Sequence, residues 1–471
     1  MVAETDRRIT AAMVEDLTRR IGPGPIFTDP EKLASFSSDE SKLIYSPELV
    51  VEPLSTGQVQ ETLRWASHYR IPVTPRAAGS NVTGGALPVH GGIVLSLMKM
   101  NRIIEIDPQN LIAVVQPGII TYDLQCAVEE RNLYYPPDPS SIDTSTIGGN
   151  VAENAGGPHC LKYGTTKDYI LGLLVVLPNG DLLQTGVRTR KGVVGYDLTH
   201  LFIGSEGTLG VITEIVLKLI PKPKRVATLL AVFPDLETAT SAVARILETG
   251  ITPAAAELIP IKSLDLLPDG LPFPLPKETG ALLLIELDGR PEAVIVERDE
   301  VGDTCMEKGS LDVFVAEGAA KRKTLWDMRR NIYTYMVEKK ALVESLDIVV
   351  PIDRISEYVR RVTEIEGRYG INVHCLGHAG DGNIHTDIVS DSDNPEVRKR
   401  IRDASLEILS LALSMKGTLA GEHGIGFTKK EYLPMELSRV SIQFQRALKQ
   451  IIDPLNIMNP GKVLPDEKSP E

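Results

Sequence analysis

Three glycine clusters in the first half of the chain constrain its fold more than any other feature. They are Gly79-Ser80-Asn81-Val82-Thr83-Gly84-Gly85, the run from Gly148-Gly149-Asn150 to Ala155-Gly156-Gly157, and Gly204-Ser205-Glu206-Gly207-Thr208-Leu209-Gly210. One cluster alone reads as tight turns and close helix packing, since glycine is the default turn residue. Their concentration in one half points instead to a ligand that approaches the backbone closely. No G-x-G-x-x-G follows a strand with an acidic partner downstream, and the Walker spacing is absent. What remains is Pro75-Arg76-Ala77-Ala78-Gly79 and its continuation, where small side chains let consecutive N–H groups face one anion. Such a nest suits a diphosphate.

The clusters sit in a regular frame. Residues 9–20 read as a helix stopped by Gly22-Pro23-Gly24-Pro25, and 56–68 as a helix with Val59, Leu63 and Ala66 at helical spacing. Residues 50–53, 92–97 and 111–116 read as strands, 121–131 as a helix, and 171–177 with the stretch from Leu182 as a hairpin about Pro178-Asn179-Gly180-Asp181. Proline and charge at Ile220-Pro221-Lys222-Pro223-Lys224 mark a boundary. Beyond it, 226–233 and 281–287 read as strands and 236–248 as a helix, and the mixture continues through 311–317, 319–338 and 347–351. At 471 residues the chain exceeds what one core usually organises. The expectation is an α+β protein with a first domain over 1–224 (core 46–224), a second over 225–420, and a C-terminal segment over 421–471. Residues 1–8 and 466–471 are expected to fray.

A formal charge of -13 disfavours nucleic acid as a partner, because phosphate backbones are bound by clustered Lys and Arg. The first thirty residues lack a leader pattern and no run of about 18 apolar residues is present, so no transmembrane segment and a cytoplasmic location are expected. Cys126, Cys160, Cys305 and Cys375 show no CxxC spacing, so any iron-sulfur cluster must sit on another protein.

Half of the eight histidines, His374, His378, His385 and His423, fall between residues 374 and 423, within His374-Cys375-Leu376-Gly377-His378-Ala379-Gly380-Asp381-Gly382-Asn383-Ile384-His385 and Gly421-Glu422-His423-Gly424-Ile425-Gly426. As a strand, Ile384-His385-Thr386-Asp387-Ile388 puts His385 and Asp387 on the face opposite the isoleucines. Imidazoles with a carboxylate suit Zn2+, Fe2+ or Mn2+. The other reading is a set of hydrogen-bonded structural histidines. For Arg329 the readings are a solvated helix face or a guanidinium that grips a carboxylate in plane.

PRAAGSNVTGG, DPSSIDTSTIGGNVAENAGG, KYGTTKDYILGLLVVLPNGD and FIGSEGTLGVITEIVLKL, over residues 52–224, resemble the FAD module of the vanillyl-alcohol-oxidase type, in its glycolate oxidase and D-lactate dehydrogenase branch. The resemblance implies a two-domain flavoprotein: an FAD-binding α+β domain and an α+β substrate (cap) domain with an antiparallel sheet. It implicates Pro75, Arg76, Ala77, Ala78, Gly79, Ser80, Asn81, Thr83 and Gly84 in the first loop. It adds Pro137, Asp138, Ser140, Ser141, Thr146, Gly148, Gly149, Asn154 and Gly157, then Glu206, Gly207, Ile212 and Asn459. Neither His nor Cys lies between Arg76 and Gly85, so non-covalent FAD is expected, with His159 and Cys160 nearby as the alternative attachment. GHAGDGNIH and GEHGIG resemble the C-terminal signature of metal-dependent D-2-hydroxy acid dehydrogenases. There His378, His385 and Glu422 match the ligands of a divalent metal, His423 the catalytic base, and Arg329 the carboxylate-binding arginine. Relatives acting on 2-hydroxyglutarate carry a lysine where Ser345 stands, which favours lactate or glycolate here. Asn459-Pro460-Gly461-Lys462 matches the segment that returns to the FAD domain.

The implied function is oxidation of a small D-2-hydroxy acid, with electrons passed to an electron-transferring flavoprotein, an iron-sulfur subunit or another acceptor. A homo-oligomer is compatible with it. The competing readings are a flavin-dependent alcohol oxidase or synthase of the same fold, and an electron-carrier subunit without substrate chemistry.

Overall fold

The computed structural model describes residues 8–267 and 274–466. The fraying expected at the ends lies, Arg8 and Asp466 aside, outside the described residues. Two compact units result: one takes the chain up to Ala155, Thr165–Lys222 and everything from Glu422 onward, the other Gly156–Gly164 and Pro223–Gly421.

In the first unit, Leu49–Val51 and Val73–Arg76 run parallel to Ile93–Ser96, which lies between them, and Ile26–Phe27 adds an antiparallel edge. Parallel strands need a crossover, and the helix Thr56–Tyr69 supplies it. Ser55 caps its start by accepting from Gln58 N, and Arg70 stops it in a left-handed conformation. Its Val59, Leu63, Trp65 and Ala66 are buried, in a core shared with Leu17, Val73, Ile93 and Met458. Each large apolar side chain so buried contributes about 1.5–3 kcal/mol. Trp65 Nε1 also donates to Met13 O at 3.0 Å, tying down the N-terminal helix Ala11–Ile21. A five-stranded antiparallel sheet of the same unit runs in the order Ile103–Asp107, Ile112–Val115, Val211–Lys218, Ile170–Val176, Leu182–Gly186. The C-terminal chain joins this unit, with Asn459 N donating to Val73 O at 2.8 Å.

The second unit is a seven-stranded antiparallel sheet in the order Asp312–Val315, Arg225–Phe233, Ala281–Gly289, Ala255–Pro260, Asn372–His378, Asn383–Ser390, Leu342–Val349. Leu230, Val232, Leu282, Leu284 and Leu376 form a core with Leu325, Trp326, Met328, Ile332 and Met336 of the long helix Ala319–Lys339. That packing turns Arg329, on the same helix, inward. The α+β class is as expected. Among the described residues no helix is long and apolar enough to cross a membrane.

The second glycine segment departs from an open loop, since Ile147–Glu153 is a helix. Thr146 caps it by accepting from Gly149 N at 3.1 Å. Gly148 is there for packing, because a Cβ would lie 2.4 Å from Pro117 Cβ.

Candidate active site

The strand Val73–Arg76 delivers the first glycine loop. Arg76 is buried beneath it, with Nη2 donating to Ser38 O at 2.8 Å and the guanidinium 5.6 Å from the Phe36 ring centroid. Burial lowers its pKa while Asp39 opposes the shift. Gly79 has φ +78°, and a Cβ there would lie 2.2 Å from Arg76 Nη2, so the loop takes its path only with glycine. The Asn81 side chain is fully engaged: Oδ1 accepts from Thr83 N (3.2 Å) and Gly85 N (2.9 Å), and Nδ2 donates to Thr83 Oγ1 (3.0 Å) and Glu153 Oε1 (2.8 Å). Arg76, Asn81 and Thr83 therefore shape the loop from within. The amides of Ala78, Gly79 and Ser80 donate to no other described residue, and residues 77–82 are all half-buried. Three successive unengaged amides fit a phosphate group.

The remaining flavin candidates of this unit divide between scaffold and reachable surface. Asn154, at φ +55°, accepts from Thr165 Oγ1 (3.1 Å) and Lys167 N (2.9 Å). Gln125 Nε2 holds the Pro137 carbonyl at 3.1 Å; Pro137 and Asp138 are buried, Ser141 is half-buried and Ser140 is exposed. Gly149 stays half-buried, its Cβ position 3.4 Å from Ala77 Cβ. Ile212 pairs with Val175 in the sheet, and the Cβ position of Gly207 lies 3.1 Å from the Pro75 ring. Glu206 turns to the C-terminal chain: its carboxylate accepts from Ile425 N (2.8 Å) and Gly426 N (2.7 Å). Asn459 Nδ2 donates to the carbonyls of Gly85 (2.9 Å) and Glu206 (2.7 Å), so it latches the first cluster to the third. Gly84, buried with φ +74°, has Phe427 Cβ 3.2 Å from its own Cβ position. His423 is half-buried; its carbonyl accepts from Thr83 Oγ1 at 3.4 Å, and its Nε2 lies 3.8 Å from Glu422 Oε1.

The second unit contributes a set of buried charges. Glu257, fully buried in the strand Ala255–Pro260, receives Arg329 Nε on Oε2 at 2.9 Å and His378 Nδ1 on Oε1 at 2.6 Å. Burial would raise its pKa, but His378 and Arg329 hold it down to about 2. The far end of Arg329, Nη2, is buried and meets no hydrogen-bond partner among the described residues. The hairpin Asn372–His378 and Asn383–Ser390 brings His378 and His385 together, ring centroids 5.2 Å apart and near-perpendicular. Asp347, also fully buried, accepts from Asn383 Nδ2 (2.9 Å) and from Gly421 N (2.9 Å), and His385 Nδ1 lies 3.6 Å from its Oδ1. Gly421 is thereby anchored one residue before Glu422. His374 keeps apart: it binds Ser263 Oγ at 2.9 Å, and burial pushes its pKa down to about 4. For that histidine the structural reading holds. Gly157 lies in this unit with His159, whose Nε2 meets Glu286 Oε1 at 3.1 Å, and with half-buried Cys160.

Residues 47–186 match the FAD binding domain family and residues 222–463 the family described as FAD linked oxidases, C-terminal domain. The chain belongs to the FAD-linked oxidases. This oxidase is 41% identical to the glycolate oxidase subunit GlcD of Bacillus subtilis, over 90% of this chain and 93% of that protein. It is 34% identical to a D-lactate dehydrogenase of Anaerostipes hadrus (97% and 98% covered) and 30% to a D-2-hydroxyglutarate dehydrogenase of Stutzerimonas stutzeri (96% and 98%). The fold is that of p-cresol methylhydroxylase, at TM-score 0.79 with 19% identity over 97% of each chain. The vanillyl-alcohol-oxidase-type resemblance is borne out at the level of family and fold.

Sequence reasoning missed two carboxylates of this oxidase. Glu257 was legible only as a lone acid in the apolar run Ala255-Ala256-Glu257-Leu258-Ile259, and Asp347 as an acid before Ile348-Val349-Val350. Buried acids are almost always paired, which is the signal that could have found them.

Proposed function

We propose that this FAD-linked oxidase converts a small D-2-hydroxy acid, D-lactate or glycolate, to the 2-oxo acid. Arg329 carries the reading: a buried guanidinium, fixed at Nε by Glu257, keeps Nη2 without a described partner. An unpaired buried donor costs about 1–3 kcal/mol, which an anionic substrate group recovers. Ser345 stands opposite Asp387 in the sheet, an acidic rather than cationic setting that favours one substrate carboxylate over two.

FAD, when bound, supplies the hydride acceptor, and the free amides of Ala78, Gly79 and Ser80 neutralise part of its diphosphate without a covalent link. His378, His385 and Glu422 would hold a divalent ion, Fe2+, Zn2+ or Mn2+, which lowers the pKa of the substrate hydroxyl. The donor set fits: ring nitrogens of His378 and His385 lie within 4.8 Å of each other, and Glu257 engages His378 Nδ1, which leaves Nε2 for the ligand role. Arg329 orients the carboxylate. His423 takes the hydroxyl proton on an imidazole nitrogen. The two electrons taken from the substrate would pass to a separate acceptor, an electron-transferring flavoprotein or iron-sulfur subunit; the Bacillus relative is itself named a subunit.

The test is anaerobic flavin bleaching by D-lactate and glycolate. His423→Ala is expected to remain folded and yellow while bleaching slows by about 10²- to 10⁴-fold. Chelation should abolish wild-type bleaching until a divalent ion is restored. Rapid bleaching by the variant, or indifference to complete metal removal, overturns the roles assigned.

A further inference from the structure

Beside the first glycine loop, and within the same unit, the carboxylates of half-buried Glu153 and buried Glu206 face each other. Glu153 closes the helix Ile147–Glu153, and Glu206 sits in the third glycine cluster at φ +51°. One point, the Cβ position of Gly424, lies 2.2 Å from Glu153 Oε2 and 3.0 Å from Glu206 Oε1, so these oxygens are separated by about 5 Å or less, inside the range where like charges couple strongly. The Cβ position of Gly85 lies 3.3 Å from the other oxygen of each. Gly424 itself has φ +73°, so neither backbone nor space admits a side chain there.

The two partners are not equivalent. Both Glu206 oxygens accept backbone N–H groups, the pattern of an ionised, acceptor-only carboxylate. Glu153 accepts only at Oε1, from Asn81 Nδ2; Oε2 is buried and accepts from no described donor. Of the four carboxylate oxygens it is the one that no described donor engages, which leaves it open to carry a proton. Asp39, from the segment before the first parallel strand, acts on Glu153 and is itself faced by Arg76, while Lys429 and Lys462 come from the C-terminal chain. Lys462 Nζ is engaged by Leu87 O and Asn459 Oδ1, while the buried Lys429 Nζ makes no hydrogen bond to a described residue. Three acids, Asp39, Glu153 and Glu206, thus lie near three bases, Arg76, Lys429 and Lys462.

We propose that Glu153 and Glu206 form an acid pair holding one proton, carried by Glu153, and that ionised Glu206 positions segment 423–426 for the reaction. Glu206 clamps the amides of Ile425 and Gly426, while Thr83 holds the other side through the carbonyl of His423 and the amides of Phe427 (2.8 Å) and Thr428 (3.1 Å) to its own carbonyl. The chain two residues before the clamp is His423, so the imidazole inherits its place from the pair. Burial pushes Glu206 up to about 6 and Glu153, with Glu206 beside it, well above the usual carboxylate range. The catalytic half of this inference rests on the reading of His423 as base.

The experiment uses the full-length flavoprotein. Both groups have folded pKa values raised above their unfolded ones, so the stability they confer is present below about pH 4.5 and is lost as pH rises through the folded values. Glu153→Gln keeps the neutral shape and removes that titration, so its Tm between pH 6 and 9 should fall less than that of wild type, by about 2–4 °C. Glu206→Gln puts an amide donor against a backbone N–H; kcat for flavin reduction should drop about 10²-fold with KM little changed, since Arg329 is untouched. A kcat and KM that both move in step with lost Tm indicate a merely structural role. An unaltered Tm–pH slope in Glu153→Gln, or unaltered kcat in Glu206→Gln, overturns the proposal. If no 2-hydroxy acid bleaches the wild type, the proposed function fails, while the Tm–pH arm still decides the pair.

Discussion

In the unit built on the glycine loops, the carboxylates of Glu153 and Glu206 face one another; in the unit built on the seven-stranded sheet, Glu257 is buried between Arg329 and His378. Glu206 and Glu257 are buried and Glu153 is half-buried with a buried Oε2, yet the first and third of these are pushed up while Glu257 is held down to about 2. Glu286, buried against His159, Trp326 and Thr228, is likewise lowered. Burial supplies a penalty of one sign in every case. The neighbours decide whether it is overcome. The division follows how each unit uses its polar groups: the loop unit leaves backbone amides unengaged and uses side chains as internal struts, whereas the sheet unit buries charged side chains and holds them in pairs.

The largest effect is expected where a pair is broken. Glu257→Ala leaves Arg329 and His378 buried without their partner and should cost about 3–5 kcal/mol, read from denaturant unfolding with an unchanged m value. A loss below about 1 kcal/mol would mean that the contact behaves as a surface ion pair, and the contrast between the units would weaken.

A second test sets the units against each other by pH. Glu257 has its folded pKa below its unfolded one, so its contribution is present above about pH 4.5 and is lost as pH falls toward 2; the acid pair runs the other way, losing stability as pH rises through about 6. Amide exchange should therefore quicken first in Ala255–Pro260 on acidification and first around residues 424–426 on alkalinisation. Simultaneous opening of both regions in either direction would break the comparison.

The smallest effect belongs to the loop scaffold. Gly79→Ala forces a positive φ on a residue with a Cβ and crowds Arg76, a cost of about 1–2 kcal/mol. It should show as reduced FAD content at limiting flavin, with Tm of the apoprotein only slightly lowered. Undiminished FAD content would separate the loop's shape from flavin binding.

The elements legible in the sequence were those with strong local signals. The helix 56–68 was readable from Val59, Leu63 and Ala66, and the hairpin from Pro178-Asn179-Gly180-Asp181. The glycine clusters were readable as special backbone, but not which glycine serves what: Gly79 relieves a contact with Arg76, whereas Gly148 packs on Pro117 inside a helix. Of the four clustered histidines, spacing could not separate His374 from the others, because its partner Ser263 is far away in the chain.

By itself the sequence determined the family and the α+β class, because motif and periodicity are local properties of the chain. Only the tertiary structure decided which charges share a burial site. Glu257 is 72 residues from Arg329 and 121 from His378, and Glu206 is 219 from Ile425. Electrostatic coupling depends on distance through space and on exclusion of water, and neither is written in the order of residues. The three glycine clusters show the same limit: their sequence announces special backbone, while the fold alone shows that the amides of Ala78, Gly79 and Ser80 meet no described partner and that Gly148 packs inside a helix.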